Sequence, residues 1–327
     1  MSVQVHPQTP QRDSGMRMLL AVLRMRPAFA VGYVVVAVVT MAGVLASLIA
    51  PYSPIEANPA RFLEPPSWDH WLGTDAVGMD ILSRLIYAPR FDLTIAVAGT
   101  LISAIVGTLS GALVGYYQGG RGIRSIASVL VMRAADVLQA FPVFVFAIAL
   151  VASLGQSLQT VIIAIAFVNI PIYLRLMRSQ VISIRQMRFV EAAVVAGLSD
   201  MQTVLRHIIP NALGPVLAQL SVNIGWSILL TAGLSFIGAG VRAPTPEWGS
   251  MIAVGFQNVV TGQWWPSVFP GIALAISVFA FALIGSSIET LADPVRRRAM
   301  LRLNVGRRAE GRSILAPRSE NNRSMLR

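Results

Sequence analysis

The chain has 327 residues, 55% of them hydrophobic and only 13% charged, about half the charged share of a soluble domain. Its mean hydropathy is +0.65, its formal charge is +11, and all 26 basic residues are arginine. With neither cysteine nor lysine, it has no disulfide, no thiolate nucleophile, no cysteine-based zinc site and no Walker A lysine.

His6, His70 and His207 are far apart and form no HExxH pair, and there is no G-x-S-x-G elbow. No catalysis and no cofactor are therefore expected on this chain. A spanning helix needs about 20 apolar residues. Six stretches meet that length in chain order: 28–50, 93–117, 134–154, 158–174, 212–239 and 267–288. The run at 250–260 is apolar but too short to cross, and reads as an interfacial or re-entrant piece. The first run is too long for a cleavable signal peptide. The expected fold class is all-α, a polytopic membrane protein with six transmembrane helices surrounded by lipid.

Counting alternate sides from the N-terminus, 22 of the 26 arginines fall on one side. The positive-inside rule makes that side the cytoplasm and puts both termini there. The basic charge then belongs to topology, and no nucleic-acid partner is expected. Residues 1–27 form a cytoplasmic N-terminal segment and 28–295 the transmembrane domain. Within it, 51–91 is an outer segment and 179–210 a cytoplasmic loop. The basic tail at 296–327 is expected to be poorly ordered and to lie on anionic headgroups. Trp68, Trp71, Trp248, Trp264 and Trp265 all fall in outer segments, as interfacial anchoring predicts.

Four glycine, proline and polar patterns lie along the spans. Gly107, Gly111 and Gly115 repeat as GxxxG, a close-packing face for a helix of this chain or of another. Pro142 and Pro171 each remove a backbone donor and should kink their helices; Asn169 is placed to satisfy a freed carbonyl. Asp136 follows Arg133 by three residues, a spacing for an interfacial ion pair. Gln219, Asn223, Ser227, Thr231 and Ser235 recur every four residues, drifting only about 40° per step around a helix. Polar groups at membrane depth face a bundle interior or a water-filled path. Gln219 and Asn223 favour a translocation path. For Ser227, Thr231 and Ser235, bonding to their own backbone or to neighbouring helices is an equal alternative.

The cytoplasmic stretch EAAVVAGLSDMQTVLRHIIPN (191–211) carries Glu191, Asp200, Arg206 and His207. It breaks a helical pattern at Gly197, where glycine costs about 1 kcal/mol relative to alanine in a helix. The pattern predicts two short helices joined at an angle, the second capped by Ser199 or Asp200, ending where Pro210 opens the fifth span. Such a knob suits a handle for another protein, though an ordinary loop has the same pattern.

The spacing of Glu191, Ala192, Ala193, Gly197, His207, Pro210 and Asn211 resembles the EAA loop of ABC importer permeases. HWLGTDAVGMDILSRLIYAPR (70–90), LSFIGAGVRAPTPEWGSMI (234–252) and WWPSVFPG (264–271) resemble the second permease subunit of dipeptide, oligopeptide and nickel importers. The chain departs from the family in passing directly from Ala88 to Pro89-Arg90, and in ending its last span GSSIETLADP. Glu289 there is either an interface charge facing Arg296, the favoured reading, or a residue at the end of the pore. The resemblance implies a type I ABC importer permease fold and a binding-protein-dependent importer. Its partners would be a homologous second permease, two ABC ATPase subunits holding ATP and Mg, and an extracytoplasmic substrate-binding protein. Short peptides are the implied substrate; nickel or another small solute is the alternative, and an ATP-independent channel, a secondary transporter or a membrane scaffold are competing classes. Asp75 and Asp80, two carboxylates without a nearby histidine, make a poor nickel site and read as folding residues of the outer segment.

Overall fold

The computed structural model describes residues 19–20, 22–24 and 26–292. The tail at 296–327, and Arg296 as the partner expected for Glu289, lie outside them. Helix α1 (Pro27–Ile49) is followed by an irregular segment with a short 3-10 turn at Pro59–Arg61. Then come α2 (Ile81–Tyr117), α3 (Ile123–Ala140), α4 (Val143–Leu154) and α5 (Leu158–Ile184). Two short helices, α6 (Arg188–Val195) and α7 (Asp200–Thr203), lead through a π-turn at Val204–Ile208 into α8 (Ile209–Phe236). Helices α9 (Trp248–Val259) and α10 (Trp265–Ala292) close the described chain.

Helices α1, α2, α5 and α10 and the α7–α8 run are each long and apolar enough to cross a membrane. The expected third span at 134–154 is not one straight helix. It breaks at Phe141-Pro142, and α3 and α4 meet at 94°. Pro142 lacks the N–H that would carry the helix through this point. The twelve residues of α4 span about 18 Å, short of the roughly 30 Å hydrocarbon layer. The count is five spans, or six if the bent pair is one. Pro171 behaves otherwise: α5 runs unbroken through it.

Helix α2 begins well inside the expected outer segment. The Asp80 carboxylate accepts a hydrogen bond from the Ser83 N–H at 2.7 Å, satisfying one of the donors that every helix start leaves free. Among the described residues, α2 and α5 make the most extensive helix pair. The three GxxxG glycines form this contact, so their partner is internal. Gly107 meets Tyr173, Gly111 meets Leu174 and Gly115 meets Arg178 and Val181.

The outer segment is tied down by buried polar groups. Asp80 also holds His70 Nδ1 at 2.8 Å, so the expectation that no histidine lies near Asp75 and Asp80 is corrected. Ten residues of irregular chain bring His70 back to the helix start, a return that spacing does not reveal. Asp75 accepts from the N–H groups of Val77 and Met79 at 3.0 and 2.9 Å. Arg84, buried on α2, donates to the carbonyls of Pro54 and Pro244 at 2.9 and 3.3 Å. Asp92 accepts from the Trp248 N–H at 3.2 Å and so links α2 to α9. That twelve-residue helix is too short to cross, and both carboxylate oxygens of Glu247 cap its start at 2.8 Å.

Candidate functional site

Two features have the chemistry to serve a function: the knob at 185–210 and the polar stripe of α8. In the knob, α6 ends at Val195 and Gly197 turns the chain with φ +84°, a left-handed conformation that glycine adopts without a Cβ penalty. Ser199 caps α7 in a capping box with Gln202: its hydroxyl accepts from the Gln202 N–H, and the Gln202 side chain accepts from the Ser199 N–H at 3.1 Å. Asp200 is therefore not the cap.

From α7 the helix continues without a break in direction into a π-turn, in which the Ile209 N–H bonds to Val204 O. Pro210 follows at the start of α8 and has no N–H with which to restore the tighter register. The inner side of the knob joins the main core: Val190, Val204 and Ile208 pack with Met177, Val181 and Ile184 of α5. Ala193 is buried too. The knob thus shares one packed cluster with α5 and the start of α8.

Its outer side is apolar and uncovered. Val195 is 83% exposed, and Met187, Phe189, Val194, Met201 and Leu205 are also exposed. Glu191, Ala192, Gly197 and Pro210 are exposed around them and His207 is half-exposed; the His207 carbonyl accepts from the Asn211 side chain at 2.6 Å. The flanking apolar residues escaped the reading of the motif, which rests on its small and charged positions. The signal was present in the sequence: Met187, Phe189, Val194 and Val195 lie between arginines, where an aqueous loop would ordinarily be polar.

A cleft of about 910 Å³ opens between the knob and the corner joining α2 to α3, lined by Tyr117, Arg121, Arg124, Arg185, Glu191 and Asp200 among others. On the adjoining α3, Asp136 meets Arg133 at 3.5 Å, as the spacing predicts, and also Arg175 of α5 at 2.8 Å.

The stripe on α8 lies mostly inside the chain's own packing. Asn223, Ser227, Thr231 and Ser235 are buried, and Gln219 is half-buried. Ser227 shares a hydrogen bond with Thr100 of α2 at 3.0 Å and accepts one from Asn169 of α5 at 3.1 Å. Asn169 therefore bridges helices instead of serving a carbonyl near Pro171. Thr231 donates to Ser227 O on its own helix at 2.8 Å. Tyr173, one turn beyond Asn169, lies beside Asn223. In this conformation Ser227 and Asn223 face α2 and α5, and the exposed face of α8 carries Leu217, Val222, Trp226, Leu229 and Phe236.

Spanning helices gathered around an internal polar seam, with a knob built into one of them, define a helical, multi-span membrane component. Residues 107–298 match the family described as binding-protein-dependent transport system inner membrane component, and the chain belongs to that family. It is a multi-pass protein of the inner membrane with the all-α type I importer permease fold. Among curated relatives, it is 39% identical over 267 residues to the dipeptide transport system permease protein DppC of Alkalihalophilus pseudofirmus, covering 81% of this chain and 84% of that one. It is 36% identical over 295 residues to the probable D,D-dipeptide transport system permease protein DdpC of Escherichia coli K12, covering 89% and 95%. To the glutathione transport system permease protein GsiD of Escherichia coli O6:K15:H31 it is 40% identical over 229 residues, covering 70% and 73%. Among solved structures, a chain of the MetNI methionine ABC transporter in an inward-facing conformation superposes with a TM-score of 0.52 at 17% identity, covering 65% of this chain and 98% of that one. At that identity the likeness bears on fold alone.

Proposed function

We propose that the chain forms half of the translocation path of an ABC importer for short peptides and couples ATP hydrolysis to helix movement through the knob. The observation that carries this reading is the uncovered apolar face of Met187, Phe189, Val194, Val195, Met201 and Leu205 on a unit packed into the core of α5 and α8. An apolar surface of this kind at an aqueous end marks a protein interface. ATP and Mg belong to two ATPase subunits seated on this face and on that of a homologous second permease. Closure of the ATPases tilts the helices and alternates access, and an extracytoplasmic binding protein delivers the substrate. Both termini lie in the cytoplasm with the knob. Peptide is the favoured substrate because the relatives named above carry dipeptide, D,D-dipeptide and glutathione in their names.

Along α8, Gln219 and the neighbouring exposed face line the path. Asn223, Ser227, Thr231 and Ser235 are buried behind that face, and Asn223 and Ser227 reach the path only if α8 separates from α2 and α5.

Gly197→Pro tests the coupling. Proline fixes φ near −65°, against +84° here, and removes the N–H that donates to Val194 O at 3.0 Å. Cells lacking the gene are supplied with native or variant chain, and uptake of labelled dialanine is measured at equal membrane levels. Native chain restores energy-dependent uptake and Gly197→Pro does not. Equal uptake with both chains would reduce the knob to a loop; uptake of nickel but not dialanine by the native chain would overturn the peptide assignment.

A further inference from the structure

Asp200 stands at the first position of α7, yet Ser199 and Gln202 already cap that helix. Its carboxylate is free to reach elsewhere, and each oxygen does. Oδ1 accepts from the Tyr116 hydroxyl at 3.1 Å, and Oδ2 accepts from Arg124 Nη1 at 2.9 Å. Tyr116 belongs to the last turn of α2 and Arg124 to the first turn of α3. The same corner is gripped from the end of α5 and the residue after it: Arg185 donates to the carbonyls of Tyr116 and Gln118 at 2.6 and 3.1 Å, and Arg178 to the Gln118 side chain at 2.6 Å. Arg185 thereby serves carbonyls that the end of α2 leaves without helical donors.

Two of the three groups in this cluster are open to water, with side-chain exposures of 65% for Arg124 and 45% for Asp200. An exposed ion pair of this kind contributes little to folding stability. What the cluster does supply is a connection. Through the π-turn the knob is continuous with α8; Arg185 at its start holds the backbone of the α2–α3 corner, and Asp200 is the link to that corner from α7.

We propose that Asp200 is a positioning residue that ties the knob to the α2–α3 corner, so that one displacement of the knob moves α8 through the π-turn and α2 and α3 through Tyr116 and Arg124. This rests on the reading of the knob as the ATPase handle. Loss of the link leaves α8 fully driven and the corner held by Arg185 alone, which lowers transport per ATP without loosening the ATPase.

The test uses the complete importer, with its second permease, ATPases and binding protein, in proteoliposomes; dialanine uptake and ATP hydrolysis are measured together. Asp200→Asn and Tyr116→Phe each lower dialanine carried per ATP by at least about fivefold, the lower end of an ordinary coupling between sites. Their double variant loses no more than the stronger single one, because both cut one link. Arg124→Asp combined with Asp200→Arg recovers part of the loss of Asp200→Asn. ATPase subunits co-purify with every variant at the native level. An unchanged ratio in Asp200→Asn, or a fall matched by loss of the ATPase subunits, overturns the inference. If Gly197→Pro abolishes uptake while the Asp200 and Tyr116 variants match native, this inference alone fails. If the native importer shows no ATP-driven uptake, or Gly197→Pro matches it, the coupling reading fails and takes this inference with it.

Discussion

A methyl group on Gly111 would collide with the carbonyl oxygen of Leu174, whereas one on Gly271 would meet nothing within 4 Å. Both glycines lie within helices, so backbone conformation is not the difference; the neighbour is. Gly111→Ala forces α2 and α5 apart and is expected to cost about 1–3 kcal/mol, the usual range for overpacking. Gly271→Ala is expected to be neutral or to stabilise by up to about 1 kcal/mol, the helix-propensity difference between the two residues. Thermal unfolding of the purified protein in detergent, with membrane levels alongside, checks both. Similar midpoints for the two variants would mean that α2 and α5 do not meet at this glycine. The GxxxG spacing was legible in the sequence, but its partner was not. A small-residue face states that a helix comes close, and Leu174, Arg178 and Val181 carry no mark that names them as that helix.

At the scale of the element, the same limit appears in the polar stripe. Its spacing of four told which α8 residues share a side, and the helix turn guarantees that much. What lies opposite depends on α2 and α5, whose polar residues Thr100 and Asn169 come from positions 127 and 58 residues away from Ser227. Ser227 and Thr231 thus have unequal roles despite adjacent places in the pattern. Ser227→Ala removes the partner of both Thr100 and Asn169 in a buried setting, and is expected to destabilise the bundle by about 1–3 kcal/mol, as when a buried polar group loses its partner. Thr231→Val removes only a bond to its own helix and is expected to cost less than about 1 kcal/mol. Unfolding midpoints of the two variants decide the matter, and equal losses would dissolve the distinction. The bent pair α3 and α4 shows the opposite case. Pro142 announced a kink, yet composition alone counted 134–154 as one span. Proline reports where a helix loses a donor; it does not report the 94° through which the next helix leaves.

For the whole molecule, the absence of cysteine makes topology and path open to a direct experiment, since any introduced thiol is the only one. Val195 at the knob and Val260 after α9 are 83% and 93% exposed, and α10 carries the chain between the α9 end and the knob end. With a maleimide that does not cross membranes, Val260→Cys is expected to label in intact cells stripped of their outer barrier. Val195→Cys is expected to label only after the inner membrane is opened. This orientation is the one the arginine distribution requires, and the proposed coupling depends on it, since it puts the apolar knob face on the side where ATP is held. In the same format, Gln219→Cys is expected to label at rest and Ser227→Cys to stay protected, since one side chain is half-buried and the other fully buried. Protection of Ser227→Cys that disappears only during ATP turnover would place α8 moving away from α2 and α5 within the transport cycle. Protection that persists throughout would keep the seam permanently closed and confine the path to the outer face of α8. Labelling of Val195→Cys from outside intact cells would invert the chain, and the proposed coupling through the knob would fail with it.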